Sequence, residues 1–127
     1  MKKLINMVFA IAAIAFTGKV QAQENFKWAE MNNFHATAMS SFHSAEANKL
    51  QPARDSAASI LLKAQAWQSS PLPAGYDAAV VKPLLQRLVE ECKSIKDAVD
   101  AKKSDGNLRP LVMKAHNTFH EFIRKTK

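Results

Sequence analysis

The chain has 127 residues, with 18 Lys and Arg against 11 Asp and Glu, a net charge of +7, and a single cysteine. One cysteine excludes an intramolecular disulfide framework. The bases are scattered along the whole length instead of forming a stripe interleaved with aromatics, which argues against a nucleic-acid surface.

Lys2 and Lys3 precede an apolar run from Leu4 to Phe16, and Val20-Gln21-Ala22 supplies small or short residues before Gln23. This pattern reads as a cleavable signal peptide over residues 1–22. The run is short for a bilayer span and no cysteine follows it to take a lipid, so no stable membrane insertion is expected after cleavage. The expectation is a periplasmic or secreted protein. Cleavage removes Lys2, Lys3 and Lys19 and no acid, leaving one domain, 23–127, with fifteen bases against eleven acids.

Four segments with helical period follow, and no stretch alternates as a strand would. Helix 1 is expected from about Phe26 to Lys49, with Trp28, Met31, His35, Ala38, Phe42 and Ala45 along its inner stripe. Pro52 suits the first turn of helix 2, which turns Ala53, Ala57, Ile60, Leu61, Ala64 and Trp67 inward before Ser69 to Gly75 stops it. Asp77 is a good cap for helix 3, although Pro83 suggests that regular helix begins only near Val81 or Lys82. Its stripe is Val81, Leu84, Leu85, Leu88, Cys92, Ile95 and Val99, which makes Cys92 a buried, inert thiol. Lys102 to Gly106 reads as a turn, and helix 4 places Leu108, Val112, Ala115, Phe119 and Ile123 inward. Short polar turns favour antiparallel neighbours. The expected fold is all-α, an antiparallel up-down-up-down four-helix bundle with helix 4 beside helix 1.

All four histidines fall on these two helices, His35 and His43 on the first and His116 and His120 on the last. At about 100° per residue, His35, Glu46, Met39 and His43 lie roughly 40°, 60°, 80° and 120° from Met31 in one rotational sense. His116 and His120 lie roughly 60° and 100° from Phe119 in the same sense. Antiparallel helices bring like-signed shoulders together, so both histidine edges face one seam. Axial matching sets His35 opposite the His116–His120 turn and His43 about a turn beyond. A single histidine at a helix edge is most often a partly solvated polar residue; the convergence is what carries the expectation of a metal site. His35, His116 and His120 form its expected core, with His43 or Met39 completing it and Glu46 orienting an imidazole. Such donors suit zinc, copper or nickel, and the Met39 thioether would favour Cu(I).

Asn117-Thr118-Phe119-His120-Glu121-Phe122-Ile123-Arg124 resembles the terminal segment of the cytochrome b562 family, itself an exported four-helix bundle. That resemblance implies Met31 and His120 as axial ligands of a non-covalent haem b and a role in electron transfer. No Cys-x-x-Cys-His occurs, so covalent c-type haem is excluded. Phe34-His35, Phe42-His43 and His116-x-x-x-His120 are also similar to small exported bundle proteins of unknown function, which implies metal binding. A third expectation is a structural or partner-binding bundle with no cofactor. An enzyme is not expected: there is no Ser-His-Asp order, no reactive cysteine beside a base, no glycine-rich phosphate loop and no paired carboxylates in one stripe.

Overall fold

The computed structural model describes residues 26–127, so the signal-peptide segment lies outside the described residues. Four helices follow one another: α1 (Ala29–Glu46), α2 (Gln51–Ser69), α3 (Ala78–Asp100) and α4 (Asp105–Lys125). Each packs on its neighbour in sequence, and α4 closes on α1. Contacts at the two ends establish the alternating directions. At one end Trp28 before α1 meets Trp67 of late α2 and Phe122 of late α4. At the other end Arg109 of early α4 donates to the Ala45 and Glu46 carbonyls, and Ser41 donates to the Pro52 carbonyl of early α2. The chain is therefore an all-α up-down-up-down bundle. Among the described residues no helix is long and apolar enough to cross a membrane.

Local chemistry sets the helix ends. α1 starts at Ala29, three residues later than expected, because Phe26 is held outside the helix by Asn32. The Phe26 amide donates to Asn32 Oδ1 at 2.6 Å, and Asn32 Nδ2 donates back to the Phe26 carbonyl at 2.7 Å. At its other end α1 closes in a Schellman motif, with the Asn48 amide on the Ala45 carbonyl, the Lys49 amide on Ser44, and Asn48 at φ 64°. α3 ends the same way, with Lys102 at φ 56° in the left-handed position.

Two expectations for the helix starts are corrected. α3 is regular from Ala78, because Asp77 accepts from the Ala79 amide and supplies the cap early enough for Pro83 to be absorbed within the helix. Gly106 belongs to the first turn of α4 and not to the preceding loop, because the Ser104 hydroxyl accepts from the Asn107 amide and starts the helix at Asp105.

The core runs the length of the bundle. On α1 it takes Phe34 at 0% exposure and leaves His35 half-buried, so the inner stripe is Met31, Phe34, Ala38, Phe42 and Ala45. On α4 Phe122 is buried and Ile123 only partly so. In both helices a neighbouring aromatic, with more apolar area to bury, takes the inward position. Ala53, Ala57 and Ala64 give α2 a flat inner face that its neighbours approach closely. The α1–α4 seam is the most open of the four and is filled by rings: Phe34 lies 5.7 Å from Phe119, and Phe42 lies 5.7 Å from His116. Cys92 is 1% exposed, and burial, with a smaller contribution from Glu91, pushes its thiol up to about 12.

Lys102 carries a Cβ in a left-handed conformation that glycine adopts without penalty. Lys102→Gly is expected to stabilise the protein by about 1 kcal/mol, read as a higher denaturant midpoint with an unchanged slope. Thiol alkylation is expected to be far slower on the native chain than on the denatured one, because the reactive thiolate is suppressed and shielded; equal rates would show that Cys92 is accessible.

Candidate metal centre

Four ionisable side chains meet at the seam between the second half of α1 and the middle of α4. Ligand atoms of His43, Glu46 and His116 all lie within 4.8 Å of one another. His120 joins through His116, their Nε2 atoms 2.9 Å apart and their rings 4.5 Å apart. The His43 and His116 rings are 5.2 Å apart and nearly edge-on.

Helix geometry explains why these residues meet. His43 and Glu46 lie three apart on α1 and His116 and His120 four apart on α4, so each pair shares a helix face. Every Cα–Cβ bond also leans toward the N-terminus of its own helix. In an antiparallel pair those leans oppose each other: His43 leans up α1 while His116 and His120 lean down α4 toward it. His35 leans the same way as His43 but starts about two turns nearer the N-terminus of α1, so its lean carries it away from His116. Its ring packs edge-on against Phe26 at 5.3 Å and against Phe119 at 5.7 Å. The ligand atoms that gather are those of His43, Glu46 and His116, with His120 at hydrogen-bonding distance from the last, whereas the His35 ring of the expected trio His35, His116 and His120 lies against Phe26 and Phe119. Met39, one turn before His43, is 8% exposed and belongs to the hydrophobic core.

Glu46 is a converging donor here, beyond the orienting role its position suggested. Its angle, between those of His35 and Met39, was the available signal. Counting angles alone omits that it is the last residue of α1 and is held there from α4. Arg109 Nε donates to the Ala45 carbonyl at 3.0 Å and an Arg109 terminal nitrogen donates to the Glu46 carbonyl at 3.2 Å. The guanidinium bonds the Glu46 carbonyl at the helix end, adds a second bond to the Ala45 carbonyl that the Asn48 amide already engages, and complements the negative end of the helix dipole. The other nearby carboxylate, Glu121, is engaged elsewhere, by Arg87 of α3 and by Lys125. Those two bonds, Lys125 first, hold its carboxyl below the usual range.

His116 is the buried member at 4% exposure, while His43, Glu46 and His120 reach solvent. Burial pulls its pKa below 6.5, His120 and His43 add to that, and the Glu46 charge opposes it. A neutral imidazole is the form that binds a metal. Donors around a tetrahedral zinc at ligand distances of 2.0 to 2.1 Å lie about 3.4 Å apart. The His116–His120 pair needs to open by about half an ångström for that geometry, and His43 and Glu46, both exposed, bring their ligand atoms within 4.8 Å of that of His116. Three imidazoles and one carboxylate fit a divalent borderline ion.

The side chains do not fit a haem between Met31 and His120. Met31 is 2% exposed, and in the same core Phe34, Trp67, Phe119 and Phe122 pack on one another, with Trp67 4.8 Å from Phe122 and 5.5 Å from Phe34. A porphyrin would have to displace those rings. Compared with known proteins, the chain matches no family, no curated protein and no solved structure. The likeness to cytochrome b562 therefore rests on the C-terminal motif and the four-helix architecture alone.

Because His116 has a lower pKa in the folded protein than in the unfolded chain, the unfolded state binds more protons over the interval between the two values. Stability rises with pH there. The contribution of His116 is complete above about pH 6.5 and is lost as pH falls through the folded value. In metal-free protein, the denaturation midpoint is expected to drop on acidification below pH 6.5, and His116→Asn to flatten that dependence. An equally steep profile in the variant would place the proton uptake elsewhere.

Proposed function

We propose that this chain is an exported transition-metal-binding bundle that buffers, carries or senses zinc, copper or nickel. His116 is the buried anchor, His43 and Glu46 are the donors from α1, and His120 supplies a fourth ligand. The observation that carries this reading is the convergence of ligand atoms of His43, Glu46 and His116, from two helices, within 4.8 Å. The His116–His120 contact adds a further imidazole. Export is supported by Lys2, Lys3 and the apolar run to Phe16.

The chemistry is binding without turnover. The ion is held through lone pairs of neutral imidazoles and one carboxylate, and every proton displaced from these groups makes affinity fall with pH. Because the donors bridge the most open seam of the bundle, an ion bound there ties α1 to α4 and stabilises the folded chain. Haem at Met31 and His120, and a bundle without any cofactor, have no comparable observation in their favour.

Mature protein purified without a metal-binding tag is expected to contain, or to take up, one zinc, copper or nickel ion per chain. It should show no Soret band on haem addition. At a hundredfold excess over Kd the ion adds about 2.7 kcal/mol of stability, read as a rise in melting temperature. His116→Ala abolishes tight binding, and His35→Ala leaves it intact. If His116→Ala binds as well as the native chain, the centre is elsewhere or absent.

A further inference from the structure

We infer that this centre is a transfer site, which gives up its ion to an incoming donor by direct ligand replacement; the inference rests on the proposed metal binding. Three observations lead to it. Of the four donors only His116 is buried, whereas His43, Glu46 and His120 are exposed, so the ion lies at the solvent edge of the seam with one inner support. Second, the inner and outer donors differ in how firmly they are held. His116 is packed against Phe42 and lies at hydrogen-bonding distance from His120, whereas His43 and Glu46 project from the last turn of α1, where Arg109 clamps the Ala45 and Glu46 carbonyls and the His43 ring makes an edge contact with His116. Third, the ligand atoms of His43 and Glu46 lie within 4.8 Å of that of His116 at this edge, so the outer donors meet the ion where solvent does.

A structural metal site closes all four positions inside the fold and exchanges slowly. Here the outer face admits a fifth ligand. In the exchange step a nitrogen or oxygen lone pair of the acceptor forms a bond to the ion while the Glu46 carboxylate remains attached, and the Glu46 bond then breaks. The ion keeps its oxidation state throughout. The freed carboxylate returns to solvent, and no co-reactant is needed. His43 leaves next by the same replacement, and His116 and His120 release last, one imidazole moving its proton from Nδ1 to Nε2 through water so that the two Nε2 atoms can share a hydrogen bond again. The acceptor is a chelating set of imidazole or carboxylate donors that reaches the seam from outside the bundle.

The test is stopped-flow transfer of zinc from the zinc-loaded mature chain to EDTA over a wide range of chelator concentration. The expected transfer rate rises in proportion to EDTA, and Glu46→Gln steepens that dependence several-fold while His116 still retains the ion. A rate that is independent of EDTA, set by spontaneous release, overturns the transfer site and leaves metal binding standing. A chain that takes up no zinc, copper or nickel before EDTA is added overturns the proposed function itself, and the transfer site with it.

Discussion

The antiparallel closure of the last helix on the first is the constraint on which the rest depends. It gives α1 its second packed flank and brings the only four histidines of the chain onto one seam. It also decides which of them can meet, because side chains on opposed helices lean in opposite axial directions. His43 and His116 lie on the sides where the leans converge. His35 lies where they diverge, and its imidazole packs with Phe26 and Phe119 instead.

The four seams are packed by different means. Alanines on α2 allow close approach of backbones, whereas the α1–α4 seam is spread by aromatic and imidazole rings. The rings of Phe34 and Phe119 fill its centre, and at its edge they give way to the exposed His43, Glu46 and His120.

Backbone capping then fixes the register on which that edge depends. Asn48, two residues after Glu46, ends α1 in a left-handed turn, and Arg109 spans from α4 to the final carbonyls of α1. The same guanidinium therefore closes a helix end and fixes the distance between the two halves of the candidate centre. A displacement of one helical turn would separate His43 from His116 by about 5.4 Å more and dissolve the cluster.

Helix number, the direction of each helix and most of the core were legible in the sequence, because apolar spacing of three and four residues is a local property of each segment. The seam that carries the histidines was legible too, through the shared rotational sense of His35, His43, His116 and His120. Three things were decided only in the folded chain. Which of two adjacent residues faces inward, Phe34 over His35 and Phe122 over Ile123, depends on the volume the neighbouring helices leave. How far Pro83 and Gly106 enter their helices depends on caps supplied by Asp77 and Ser104. The meeting of His43 and Glu46 with His116 depends on axial offset and side-chain lean, which are properties of a pair of helices. Angular position around a helix can be counted along one chain, but height along a neighbouring helix exists only after the two have packed.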